Sequence, residues 1–298
     1  MNLQNILSPL LAILLSSVAV VSLATPSADT NLASADATLA STDSSVSNAS
    51  FGDVLSLEVG HQPTLVRYGE APSQFVEWWQ PKGVSQAPVV VFIHGGCWLA
   101  EYDLSHANAM ASALVDEGFA VWSIEYRRAG EQGGGWPNSL VDIELAIAAM
   151  AEFATQLNLD RAILAGHSAG GHLALLVSAE PKLANQFEQI VGLAPISHLV
   201  DYAAGSNSCQ MATPLFMGGQ PADKPEAYQA ADPSQLALSS EVTLILSADD
   251  VIVESEYSQL DSVDTQTIPN AGHFDVLHPN TPTFHSFLTL AKEHLHDQ

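Results

Sequence analysis

The sequence predicts an α/β protein: a mostly parallel central sheet with helices on both faces. Three observations predict it. Short β-rich runs alternate with helix-period segments from about residue 88 onward. Two of those runs, VVVFI (89–93) and AILAG (162–166), are continuously apolar, as strands buried on both faces must be. The chain has 298 residues, 47% of them hydrophobic, which suits one large α/β domain, and no second-domain boundary or solenoid-length repeat is visible.

In chain order, residues 1–24 hold no charged side chain and end in Ser22-Leu23-Ala24, the pattern of a secretory signal peptide. The first basic residue is Arg67, so the n-region lacks its usual Lys or Arg. Export is therefore expected, to the periplasm or the medium, with membrane anchoring the alternative if the segment is retained. Residues 25–50 are small and polar, with a seven-residue echo (ADTNLAS, ADATLAS, TDSSVSN) too poor in apolar residues for a buried seam, and read as a low-complexity linker. The folded domain is expected over 51–298, starting near Phe51. Its first two strands, TLVRYG (64–69) and QFVEWWQP (74–81), follow each other as a hairpin would. Further strands are expected at PVVVFIH (88–94), FAVWSIEY (119–126), RAILAGH (161–167), QIVGLAP (189–195), VTLILSA (242–248) and VDTQTIP (263–269). Helices are expected near 104–117, 138–157, 169–179, 254–260 and 282–296. The irregular stretch from 196 to about 240 is long for a connection and reads as a small flap over the sheet's carboxyl edge rather than a full cap domain.

Lys and Arg total 8 against 33 Asp and Glu, a net charge of −25. Such a surface lacks the cations that phosphate binding needs, so nucleic acid is excluded as a partner, and so is stable membrane association unless the N-terminal segment stays in place. Cys97 and Cys209 are too few for a disulfide framework; pairing and two free thiols both remain open.

The chemistry centres on Gly166-His167-Ser168-Ala169-Gly170, which joins an apolar strand to a helix-period segment. Glycines permit a tight turn there and Ser168 projects at the sheet's carboxyl edge. A serine hydroxyl attacks a carbonyl only with a base, a carboxylate to orient that base, and donors for the oxyanion. LILSADD (244–250) ends a strand in two acids, either of which sits where the orienting carboxylate belongs, and PNAGHFDVL (269–277) places His273 in a loop as the base. His94-Gly95-Gly96 follows the buried strand VVVFI, so the oxyanion donors are expected to be the N–H groups of Gly95 or Gly96 and of Ala169. His94 reads as a brace for that loop. His167 and His172 read as local packing or surface residues, with nothing nearby to complete a metal site, so no metal and no cofactor is expected. Trp98, Trp136, Met211, Phe216 and Met217 are candidates for an apolar pocket wall, and Arg127 and Arg128 for holding a substrate carboxylate.

HGGCW (94–98), IEYRRAGEQGGGWP (124–137), GHSAGGHLAL (166–175), SADDVIV (247–253) and AGHFD (271–275) resemble the α/β-hydrolase superfamily over about residues 64–296. Within it the chain is most similar to the esterase and kynurenine-formamidase-like branch, which includes feruloyl and acetyl-xylan esterase-like domains. The resemblance implies Ser168 as nucleophile, His273 as base and Asp249, rather than Asp250, as the orienting acid. Cys97 stands where an aromatic residue is common in relatives. The expected activity is hydrolysis of small-molecule carboxylic esters through an acyl-enzyme, with arylformamidase activity second and a non-catalytic hydrolase-fold binding protein third.

Overall fold

The computed structural model describes residues 46–296. The signal peptide expected over 1–24 lies outside the described residues, as does all but the last five residues of the expected linker. Those last residues are already part of the folded body: Ala49 is buried, and its N–H donates to Asp275 Oδ1 at 2.6 Å. The domain thus begins a few residues before Phe51.

Eight strands form one sheet: β1 (Thr64–Arg67), β2 (Phe75–Trp79), β3 (Ala87–Ile93), β4 (Ala120–Ile124), β5 (Leu157–His167), β6 (Gln189–Leu193), β7 (Val242–Ser247) and β8 (Asp264–Ile268). Their order is β1-β2-β4-β3-β5-β6-β7-β8. β1 and β2 pair antiparallel, as does β2 with β4, and every pairing from β4 to β8 is parallel. This is the α/β-hydrolase fold. Each strand expected from the sequence is present. β5 starts earlier than expected because its first residues, Leu157 and Asn158, pair with Ala87 and Pro88 across a register shift.

The helices are α1 (Phe51–Leu55), α2 (Asn108–Asp116), α3 (Asn138–Ala149), α4 (Ala169–Ser178), α5 (Pro181–Ala184), α6 (Leu199–Tyr202), α7 (Ser208–Met217), α8 (Pro225–Ala231), α9 (Ser255–Ser258) and α10 (Pro282–His296). Because side chains alternate along a strand, β3 feeds two cores. Val89, Val91 and Ile93 pack with Ile143 and Ile147 of α3 and Leu173 and Val177 of α4. Val90 and Phe92 pack on the other face with Met110 and Leu114 of α2 and Phe287 and Leu288 of α10. Both faces of β3 are therefore dry, which is why its sequence shows no polar alternation.

The segment 196–240 folds as α6, α7 and α8. Most of its large apolar residues turn inward: Tyr202, Phe216, Met217 and Tyr228 are all buried in the core shared with α4, while Met211 and Leu215 face outward.

Register lines up the chemistry. Ile93 lies beside Ile124 on one flank and Gly166 on the other, so the residues that follow β3, β4 and β5 emerge together at one edge. On the far side Ser247 pairs with Ile268, which brings the loops after β7 and β8 to the same edge.

Candidate active site

Ser168 sits between the last residue of β5 and the first of α4 with φ 56° and ψ −119°. A non-glycine residue at positive φ is strained, and sharp strand-to-helix turns of this kind present a side chain at the sheet's edge. The turn is pinned from both sides: Ser168 N–H donates to the Leu193 carbonyl at 2.9 Å, and the Ser168 carbonyl accepts from His172 N–H at 3.0 Å. Close approach explains the flanking glycine. A Cβ at Gly170 would collide with the carbonyl oxygens of Ile93 and His94, so the start of α4 can pack on the end of β3 only as it is.

The acid beside His273 is Asp250, not Asp249. His273 Nδ1 donates to Asp250 Oδ2 at 2.6 Å, with both side chains nearly fully buried. Asp250 Oδ1 accepts the N–H groups of Ile252 at 2.8 Å and Val253 at 2.9 Å, so the carboxylate is held on every side. Asp249 is exposed, and its backbone N–H is spent on the Ala271 carbonyl at 2.9 Å. The turn after β7 bends so that the second acid of the pair faces inward. With Nδ1 occupied, Nε2 is the nitrogen of His273 left for proton transfer.

Ser168 and His273 line one cavity of about 250 Å³, together with Gly96, Cys97, Phe51 and Phe274. Ser168 Oγ makes no hydrogen bond among the described residues; contacts of this type often tighten only when substrate binds. A larger surface depression, about 800 Å³, lies by Leu159, Phe187 and Glu241, at the strand starts rather than the strand ends, and contains neither group.

The loop after β3 is built to aim its amides. His94 is fully buried; its Nδ1 donates to the Gly95 carbonyl at 2.8 Å and its Nε2 faces Glu125 Oε1 at 3.0 Å. Across the planar trans peptide, a carbonyl held on His94 turns the Gly96 N–H the opposite way. Among the described residues, the N–H groups of Gly95, Gly96 and Ala169 have no acceptor. Gly95 lies against the turn that carries Ser168, so near that a Cβ there would stand 3.1 Å from Ser168 Cβ.

Glu125 was not singled out from the sequence, although it directly follows a buried strand, where an acid is out of place unless partnered. Besides His94 it accepts the N–H groups of Leu104 at 3.1 Å and Tyr126 at 3.0 Å, and Arg128 Nε lies 3.4 Å away. Burial pushes its carboxyl up, but His94, Arg128 and the Tyr126 amide outweigh this and hold it below its usual value.

Two groups of expected binding residues are not where the sequence reading put them. Arg127 forms a bidentate pair with the buried Asp142, at 2.8 and 2.7 Å. Arg128 bonds Glu131 at 3.0 Å and the Tyr102 carbonyl at 2.6 Å. Both guanidinium groups are thus engaged internally. Of the expected pocket wall, Trp98 and Phe216 are buried and stacked on each other, with ring centroids 4.7 Å apart. Met217 is buried, Trp136 is half-buried against the same core, and Met211 points outward with 59% of its surface exposed. None of them lines the Ser168 cavity; Tyr102, Phe51, Phe274 and Ile252 do. The reason is that α7 buries Phe216 and Met217 beneath the site, turns Met211 and Leu215 to the surface, and offers only Ser208 to the cavity.

Cys97 and Cys209 form a disulfide, with Cα atoms 5.1 Å apart, that joins the loop after β3 to the first turn of α7. His167 donates through Nε2 to the His273 carbonyl at 2.8 Å, and His172 through Nε2 to the Ala231 carbonyl at 2.7 Å. Burial keeps both rings uncharged: it pushes His172 down to about 4 and His167 well below the ordinary imidazole value. Both are buried, which decides for packing between the packing and surface readings that the sequence left open.

Comparison with known proteins bears on the family and the fold. The BD-FAE family profile matches residues 78–262. The chain belongs to this family. It is 35% identical over 115 residues to esterase LipC of Mycobacterium tuberculosis, covering 37% of this chain and 28% of that protein. It is 27% identical over 125 residues to the kynurenine formamidase of Drosophila melanogaster, covering 40% and 38%. The matched region thus spans well under half the length of either curated relative. Among solved structures, esterase B of Lactobacillus rhamnosis superposes with a TM-score of 0.66 at 21% identity, over 78% of this chain and 84% of that one. That likeness speaks for the fold.

Proposed function

We propose that this protein hydrolyses carboxylic esters of small molecules through a covalent acyl-enzyme on Ser168. The observation that carries the reading is the pairing of His273 Nδ1 with the buried Asp250 at 2.6 Å, on the cavity that Ser168 shares. Asp250 fixes the ring so that Nε2 takes the Ser168 proton. As the Oγ–carbon bond forms, the carbonyl oxygen becomes an oxyanion that accepts hydrogen bonds from the N–H groups of Gly96 and Ala169, with Gly95 completing the loop that presents them. The carbon–oxygen bond to the alcohol then breaks, and His273 hands the proton to the departing oxygen. Water, deprotonated by the same ring, attacks the acyl carbon, and the proton returns to Ser168 as the acid leaves. No cofactor or metal takes part in these steps.

A formamide would meet the same groups, and similarity to a kynurenine formamidase supports that second reading. The engaged state of Arg127 and Arg128 removes the substrate-carboxylate site that favoured it. The disulfide supports an exported protein, since such bonds persist in oxidising compartments.

Kinetics test the reading. Ser168→Ala is expected to lower kcat for p-nitrophenyl acetate by about 10⁴-fold or more while the protein stays folded. Near-full turnover by that variant would overturn it. N-formylkynurenine measured alongside separates the ester and formamide readings.

A further inference from the structure

Phe51 comes from the edge of the segment that the sequence marks as linker, yet its ring enters the catalytic cavity. Its centroid lies 5.6 Å from those of Tyr102, His106 and Phe274. The strap that carries it is anchored to the loop that carries the base. Asp275, two residues after His273 and fully buried, accepts the N–H groups of Ala49 at 2.6 Å and Asn48 at 3.0 Å. Ser50 and Asp53 close a reciprocal capping box that starts α1 and sets the direction in which Phe51 leaves the backbone. Wall and base are thereby fixed to one another.

The chemistry says which arm of an ester meets this wall. His273 must protonate the departing oxygen, so the alcohol arm lies on the His273 side of the cavity. Phe274 stands edge-on to His273 at 5.0 Å, and Phe51 packs against Phe274. The whole cavity is about 250 Å³, below the roughly 300–1,000 Å³ of most ligand pockets.

We propose that Phe51 is a specificity-determining residue that closes the alcohol side of the pocket and confines it to leaving groups about the size of one aromatic ring. The inference rests on the ester-hydrolase reading of Ser168 and His273.

The test is a pair of ratios of kcat/KM. Phenyl acetate against 1-naphthyl acetate varies the alcohol at constant acyl group; phenyl acetate against phenyl hexanoate varies the acyl group at constant alcohol. The first ratio is expected to favour phenyl by about tenfold or more, the range that a bulk mismatch in a pocket produces. In Phe51→Ala it falls by about tenfold, in Phe51→Leu by less, and in Phe51→Trp it rises, while the second ratio stays within about threefold throughout. Leu55→Ala, an exposed site on the same helix, leaves both ratios alone. If Phe51→Ala fails to fold, the Leu and Trp variants carry the comparison. An unchanged phenyl-to-naphthyl ratio in folded, active variants overturns the proposal, and so does a change confined to the acyl series. Failure of the ester reading looks different, since Ser168→Ala would then retain turnover.

Discussion

At the ends of β3 and β5 the nucleophile and oxyanion donors we propose come from two short stretches, 94–96 and 166–170, each held by its own backbone and by immediate neighbours. Across the cavity the walls come from three distant segments: Phe51 from the N-terminal strap, Tyr102 from the loop before α2, and Phe274 from the loop after β8. The difference teaches where function can be read. Turn chemistry is local, because backbone conformation and close approach dictate which residues fit. Wall chemistry is not, since an aromatic ring reaches a cavity only when the tertiary fold brings its segment there.

The pair Asp250→Asn and Asp249→Asn tests the local side most severely. The first is expected to cut kcat by about 10⁴-fold, the scale seen when the orienting acid of such a triad becomes an amide. The second removes an exposed carboxylate with no part in the site and should leave kcat within about twofold. Steady-state rates on one activated ester suffice, and equal losses from both would break the assignment.

Glu125→Gln probes the layer beneath the loop of Gly95 and Gly96. It leaves His94 and Arg128 facing a neutral partner in a buried position, which costs about 3 kcal/mol or more. Urea midpoints should fall accordingly. The activity that remains should lose kcat more than KM, because the amides proposed to donate to the oxyanion are no longer held. Unchanged stability would show that this layer is idle.

A further effect is spread over pH. Burial holds His106 down to about 3 and His172 to about 4, from an ordinary value of 6.5. A depressed imidazole contributes stability that is complete above pH 6.5 and is lost as pH falls toward the folded value, with a slope of about 1.4 kcal/mol per pH unit for each ring. His167 and Glu125, also lowered, act in the same direction. Glu77 opposes them: burial pushes its carboxyl up to about 7, so its favourable share is full in acid and is lost as pH rises from about 4.5 to 7. Denaturation measured from pH 7 to 4 should show falling stability, and Glu77→Gln should steepen the fall. A flat profile would contradict the neutral, buried state of these rings.

Much of this was legible in the chain. All eight strands announced themselves as apolar or alternating runs, and Ser168 and His273, expected in loops at the sheet's carboxyl edge, line one cavity there. The acid was misplaced by one residue because Asp249 and Asp250 are chemically equivalent, and only the phase of the turn after Ser247 decides which faces His273. The wall was misplaced because Trp98, Phe216 and Met217 are large and apolar near the right loops, and such residues serve a core as readily as a pocket. The three helices α6 to α8 were hidden by glycines, three prolines (Pro214, Pro221 and Pro225) and polar residues between short apolar runs. The pairing of Cys97 with Cys209 depends on a contact between segments that nothing local encodes.

One measurement bears most directly on the mechanism: mass mapping of the protein after exposure to a fluorophosphonate, with labelling rates for the native chain and for His273→Ala. The expected result is a single adduct on the Ser168 peptide, formed quickly in the native protein and slowed at least about a hundredfold in the variant, since the base contributes roughly that much or more to nucleophile activation. An adduct on a different residue, or equal labelling rates in the two proteins, would contradict it.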